Sequence, residues 1–309
     1  MNPILALIIT NVIWGAASPI FKLALTDIPP FTLAFIRFFF AALIFIPFII
    51  PRWQKLSVKD WFSVIVSGFF GITINIAFYF LGLEKTQSIN APIIASSAPV
   101  FIYFTSIVFL KESASRRMFW GMIVSFIGVL VIILSPVIIS GDWLAGSVVG
   151  NAFFLLATLG YVVQTVMNKD LVQRVDIYQL TAIQFLAGAI TFFPFMLTEI
   201  SHWSFSQLNL AGWSGIIFGV FFSSALAYFL FNYSMEKLRA QEAGIFTYID
   251  PVAAIILAAP LVGEYPNRYF FLGSLLVFGG IFLAEKRIHW HPLHRLKMLT
   301  NNPILPINN

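Results

Sequence analysis

The sequence predicts an all-α membrane protein of ten transmembrane helices, arranged as two inverted five-helix repeats with both termini cytoplasmic. Three observations predict it: the chain is dominated by apolar residues, its apolar runs recur at membrane-spanning length, and it matches itself at about half its length. Hydrophobic residues make up 59% of the 309 and charged residues 10%, with a mean hydropathy of +0.90. These values lie far from the near-even apolar share and roughly one-quarter charged content of a soluble domain. The net charge of +5 is spread over short connections between apolar runs, so it reads as membrane topology and no nucleic-acid partner is expected. With no cysteine in the chain, disulfides, thiolate metal sites and thiol catalysis are excluded.

A bilayer core needs about 20 apolar residues per helix. Segments of that size fall near 3–24, 31–51, 61–83, 89–110, 116–136, 144–167, 177–199, 211–234, 242–262 and 268–285. The first lacks a charged leader and contains Pro19, so it is expected to be a span, not a cleaved signal. Helix breakers stand where loops belong: Asp27-Ile28-Pro29-Pro30, Pro51, Pro136 with Gly141-Asp142, and Glu264-Tyr265-Pro266-Asn267. With the N-terminus inside, alternate connections carry fourteen Lys and Arg against three outside (Lys22, Lys85, Arg268), leaving Arg37 within a span. That asymmetry places both termini in the cytoplasm.

The chain aligns with itself at an offset of 147 and, after a five-residue length change, at 152. The first shift brings Lys22 onto Lys169, Pro47 onto Pro194, and Phe31-Thr-Leu-Ala-Phe-Ile-Arg37 onto Tyr178-Gln-Leu-Thr-Ala-Ile-Gln184. The second brings Trp61 onto Trp213, Glu84-Lys85 onto Glu236-Lys237, Pro99-Val100 onto Pro251-Val252, Glu112 onto Glu264, Arg116 onto Arg268, and Gly121 and Gly128 onto Gly273 and Gly280. The expected units are residues 1–139, residues 144–285 and a cytoplasmic tail, 286–309. An odd number of spans per unit makes the copies cross the bilayer in opposite senses, as in many secondary transporters, where the substrate site lies near the midplane between the halves. Duplication also builds static bundles, channels and flippases.

Lipid offers no hydrogen bonds, so polar side chains in mid-span are expected to face protein or water. Asn11, Trp14, Ser18 and Lys22 share one face of the first span, and Thr158, Tyr161, Thr165 and Lys169 repeat it in the sixth. The third span sets Gly68, Gly71, Asn75, Tyr79 and Gly82 on a common side, with the glycines open to a close-packing reading. The eighth spaces Ser224, Tyr228 and Asn232 four apart. Pro99 and Pro251 stand at the centres of the fourth and ninth spans. There each removes a backbone hydrogen bond, leaves the carbonyl of Ala95 or Thr247 without its usual partner, and makes a static kink or a gating hinge. Ser96 and Ser97 precede one proline, Tyr248 and Asp250 the other. Two ionisable groups are intramembrane. Arg37 lies about two turns below the outer end of its helix, within snorkelling distance, and Asp250 lies deeper as the sole candidate carboxylate for proton coupling or for a structural cap. Glu112 and Glu264 are expected to pair with neighbouring bases at the surface.

The fifth and tenth spans, regular in glycine, read as outer packing helices. His289, His291 and His294 read as part of a juxtamembrane tail with Trp290, not as a metal site. There is no catalytic constellation, nucleotide loop or metal-ligand cluster in a span, so no enzyme activity, cofactor or metal is expected.

Trp14-Gly15, Phe35-Ile36-Arg37-Phe38, and Pro99 followed by Phe109-Leu110-Lys111-Glu112, with its echo Pro251 followed by Gly263-Glu264, carry a resemblance along nearly the whole chain. The sequence resembles the EamA-type members of the drug/metabolite transporter superfamily. The resemblance implies a ten-helix carrier of the bacterial inner membrane, with spans one to four and six to nine around a central cavity and five and ten at the edge. Members similar to it are mostly exporters of metabolites, amino acids among them. This sequence departs from the family where Tyr161 stands in place of the usual Trp and where the eighth span is rich in Phe. The expected function is export of a small neutral or zwitterionic metabolite by alternating access. Trp14, Tyr79, Tyr161, Tyr228 and Tyr248 would form the aromatic walls, and Asn11, Ser18, Asn75, Ser97 and Gln184 the polar contacts. Arg37, Asp250, Pro99 and Pro251 are the coupling or gating candidates. Expected partners are the solute, membrane lipids and a proton, with the chain a monomer or homodimer. The rival readings are a lipid or polyprenol-carrier flippase and a non-transporting scaffold or receptor subunit; an ion channel would need charged rings or a carbonyl filter.

Overall fold

The computed structural model describes residues 1–102, 105, 116–141, 146–238 and 246–284. The Phe109-Leu110-Lys111-Glu112 segment, Asp142 and the tail 286–309 lie outside the described residues. The elements are helices: α1 (Pro3–Ala24), α2 (Pro30–Ile49), α3 (Val58–Lys85), α4 (Asn90–Ala95, resuming after a turn to reach Ile102), α5 (Arg116–Ser140), α6 (Gly146–Leu171), α7 (Ile177–Glu199), α8 (Leu210–Lys237), α9 (Ile249–Val262) and α10 (Arg268–Ala284). Among the described residues seven helices are long and apolar enough to cross a membrane, and the helices of α4, α9 and α10 are shorter. Large apolar side chains face outward, among them Phe40, Leu43, Ile190, Phe193, Phe221 and Leu275. Such a surface suits acyl chains and not water.

A helix start needs acceptors for its first N–H groups. Asn2 caps α1 ahead of Pro3, Ser57 caps α3, Asp176 caps α7 and Asn209 caps α8. Three helix starts are closed by carboxylates distant in sequence. Glu199 at the end of α7 accepts from Phe31 N (3.1 Å) and Thr32 N (2.6 Å) on α2. Asp27 accepts from Asn209 N (2.7 Å) and Gly212 N (3.0 Å) on α8. Glu264 accepts from Ser88 N (2.6 Å), Ser88 Oγ (2.7 Å) and Ile89 N (3.3 Å) ahead of α4. The expectation that Glu264 pairs with a neighbouring base is corrected here. Arg268 turns to the Tyr269 hydroxyl, because a carboxylate near the membrane gains more from bare helix amides than from a solvated cation.

The helices pack so that contacts recur at the two offsets of the sequence. Lys22 Nζ donates to the carbonyls of Leu83 and Thr86 at the end of α3, and Lys169 Nζ to those of Met235 and Leu238 at the end of α8. Thr10 of α1 reaches the Ala227 carbonyl of α8, and Asn75 of α3 reaches Ala157 of α6. α2 and α7 pair antiparallel: Phe31 meets Phe192 (6.1 Å between ring centroids), Phe38 meets Phe185 (5.5 Å) and Phe48 meets Tyr178 (5.6 Å). α5 and α10 also pair antiparallel, Gly128 lying against the Gly273 carbonyl and Gly280 against that of Gly121. Side chains at those glycines would push the backbones apart.

Glu264→Ala removes the α4 cap and is expected to cost about 1–2 kcal/mol of unfolding free energy, whereas Arg268→Ala stays near neutral. Denaturant titration in detergent measures both.

Candidate functional site

Between α1, α2, α3, α4, α6, α8 and α9 lies a cavity of about 120 Å³. α1 contributes Trp14, Ser18 and Phe21, α2 Arg37, and α3 Asn75 and Tyr79. Ala91, Pro92 and Ala95 of α4 form a smooth wall, and Thr158 and Tyr161 of α6, Ser223 and Tyr228 of α8, and Thr247 and Asp250 beside α9 complete the lining.

Two π-helical stretches shape it, Phe69–Ile74 in α3 and Phe218–Leu226 in α8. They overlap at the 152 offset. A π turn widens the helix and leaves carbonyls open to a second donor. Trp14 Nε1 donates to the Ser223 carbonyl inside one such stretch, at 3.2 Å. Asn75, the first residue after the other, donates to the Ala157 carbonyl at 2.7 Å. Close approach makes this possible: a Cβ at Gly160 would stand 2.6 Å from the Phe70 carbonyl oxygen. Trp14 sits in an aromatic cluster, edge-on to Tyr161 (6.2 Å) and Tyr228 (5.3 Å) and tilted against Phe231 (5.3 Å). Ser18 and Tyr79 both face the cavity.

Two ionisable side chains are sealed into the walls. Of the two readings that its depth left open, snorkelling is not the one seen for Arg37: it is 1% exposed, with its guanidinium carbon 4.2 Å from the Phe21 ring centroid, 5.0 Å from Phe38 and 5.4 Å from Phe80. The rings hold the cation where it stands, and Gly219 leaves room for its stem. Asp250 is 9% exposed, and its Oδ1 has no hydrogen-bond partner among the described residues.

Of the residues singled out in the sequence, Trp14, Ser18, Arg37, Asn75, Tyr79, Thr158, Tyr161, Tyr228 and Asp250 converge on the cavity. Others are placed elsewhere. Asn11 donates to the Leu7 carbonyl within α1, and Ser97 Oγ to the Ile94 carbonyl. Tyr248 packs edge-on against Phe278 of α10 at 5.5 Å. Gln184 belongs to a buried amide chain, donating to Ser67 Oγ (2.9 Å) and Asn168 Oδ1 (2.7 Å), while Asn168 donates to Asn232 and Asn232 to Thr181. A turn breaks the helical run just before each proline: Ser96 and Ser97 precede Pro99, and Thr247 and Tyr248 precede Pro251, which lies in the first turn of α9. At a helix start the missing N–H costs no ladder bond, and the Thr247 carbonyl accepts from Asp250 N at 3.2 Å. The glycines of α3 meet other helices, Gly71 against Gln164 and Gly82 against Phe154. Phe21, Ser223, Thr247 and the α4 wall escaped the sequence reading. No local signal marks a π turn, and the turn brings Ser223 to the cavity.

Apolar helices around a largely apolar, aromatic-walled cavity that carries a few buried polar side chains suit an integral membrane protein of the transporter class. The EamA-like transporter family model matches residues 1–134 and again 148–285, and the chain belongs to that family. It is 28% identical over 287 residues to a Bacillus subtilis (strain 168) protein named uncharacterized transporter YetK, covering 92% of this chain and 87% of that one. It is likewise 28% identical over 287 residues to an uncharacterized transporter of Archaeoglobus fulgidus, covering 93% of this chain and all of that one. A solved crystal structure shares the fold, with a TM-score of 0.63 at 20% identity over 91% of this chain and 96% of the other.

Gly160→Val should drive the α3 π stretch off α6 and cost about 1–3 kcal/mol. Gly279, where an added methyl would find no atom within 4 Å, should accept Ala unchanged; paired thermal melts compare the two.

Proposed function

We propose that the chain is a secondary carrier of the cell membrane, bacterial inner membrane included, that exports a small metabolite such as an amino acid by alternating access. In this reading ten spans form two inverted units, 1–139 and 144–285, with both termini cytoplasmic and the tail 286–309 beyond them. The observation that carries it is the cavity itself: helices from both halves converge on one hollow that holds buried polar and charged side chains, in a solvent that tolerates such groups only where they meet protein, water or solute. The antiparallel pairing of α2 with α7 and α5 with α10 supports the inverted arrangement, since repeat mates related by an in-plane axis must run in opposite directions. Asn75, Ser18 and Thr158 would contact polar groups of the solute, and Trp14, Tyr79, Tyr161 and Tyr228 its apolar body. The breaks before Pro99 and Pro251 give α4 and α9 hinges for a rocking motion.

Purified protein in proteoliposomes tests the site. Asn75→Ala and Tyr161→Ala should each lower flux by about tenfold, the scale of one lost polar or aromatic contact, with the folded yield unchanged. Full activity in both would remove the site assignment. If Asp250 couples transport to protons, Asp250→Asn abolishes flux driven by a pH gradient and spares solute exchange. Equal loss of the two activities would make the carboxylate structural.

A further inference from the structure

Among the described residues Arg37 is the single cation lining the cavity, and no ion pair joins it to a carboxylate there. Its Nη2 donates to Ser223 Oγ (3.2 Å) and Ser224 Oγ (3.4 Å), whereas Nε and Nη1 have no partner among those residues. The three phenylalanine rings stabilise its charge through their faces but supply no acceptor to its N–H groups. An unpaired buried charge is costly, and a carboxylate meeting it would recover much of that cost.

A built-in comparison separates packing from charge. Gln184 is the repeat mate of Arg37 at the 147 offset. It joins α7 to α3 and α6 through Ser67 and Asn168, so a neutral amide suffices to tie this helix to its neighbours. The charged copy is the one that lines the cavity. No ion pair joins Asp250 to it: the Asp250 backbone sits against Gly15, whereas the Arg37 guanidinium sits over Phe21, six residues further along α1.

We propose that Arg37 is the receptor for a carboxylate on the carried solute and sets its selectivity for acids over neutral analogues. A single guanidinium matches a monoanion, and a phosphate dianion would call for a second cation. This inference rests on the carrier reading but is tested separately from it, by binding.

Calorimetry on the purified full-length protein compares 3-phenylpropanoate with 3-phenylpropanamide, and phenylalanine with phenylalaninamide. The wild type is expected to prefer each acid to its amide by about tenfold or more, the scale of a hydrogen bond to a charged group. Arg37→Gln, which installs the residue of the repeat mate, should bring the ratio to about one, and Arg37→Lys should keep part of the preference. A wild-type ratio within about twofold, binding of neither member of either pair, or an acid preference unchanged in Arg37→Gln overturns the inference. The wild-type comparison stands even if both variants misfold. Proteoliposome flux without acid preference would sink the inference and leave the carrier reading intact, while acid-selective binding with no flux of any solute would sink the carrier reading alone.

Discussion

Hydrocarbon offers no hydrogen bond to a polar group, and the architecture follows from where those groups therefore go. Helices satisfy their own interiors but leave bare N–H groups at the start and bare carbonyls at the end. Here the starts of α2, α4 and α8 are closed by Glu199, Glu264 and Asp27, and the ends of α3 and α8 by Lys22 and Lys169. Each of these side chains comes from a different helix or loop than the terminus it closes, so satisfying the backbone also joins the helices.

The same constraint sorts the mid-span polar residues into two populations. One is neutral and linked internally, the chain from Ser67 through Gln184, Asn168 and Asn232 to Thr181, in which Gln184 Oε1 is left without a partner among the described residues. Networks of that kind rigidify a core because their members hold one another in place. The other surrounds the cavity and is incompletely matched, with open valences on Arg37 and Asp250. The first population holds the bundle together, and the second faces the space where a solute fits.

How much of this was legible depends on the range of the signal. Helical spacing grouped Trp14 with Ser18 and Asn75 with Tyr79, and all four line the cavity, since α1 is continuous and Asn75 and Tyr79 both follow the π stretch. Across the π stretch the grouping held for Gly71, which meets α6 as Asn75 and Gly82 do, and failed for Gly68, which turns to α7. Glu264 looked like a partner for nearby bases, and its true partners are amides 176 and 175 residues away. Pro99 and Pro251 marked breaks in the fourth and ninth apolar runs, and the helix turns just before each of them.

By itself the sequence determined the helical, membrane-embedded class, the positions of buried polar residues along each span, and the pairing of positions between halves, because hydropathy, period and self-similarity are properties of the chain taken linearly. Only the tertiary structure decided which of those residues share a cavity, that Gln184 lies in a buried network while Arg37 stands over Phe21, and that two π stretches bring the Ser223 carbonyl to its donor and the Asn75 amide to its acceptor. Those outcomes depend on side chains brought together from helices far apart in the chain, and on helix registers that no local pattern records.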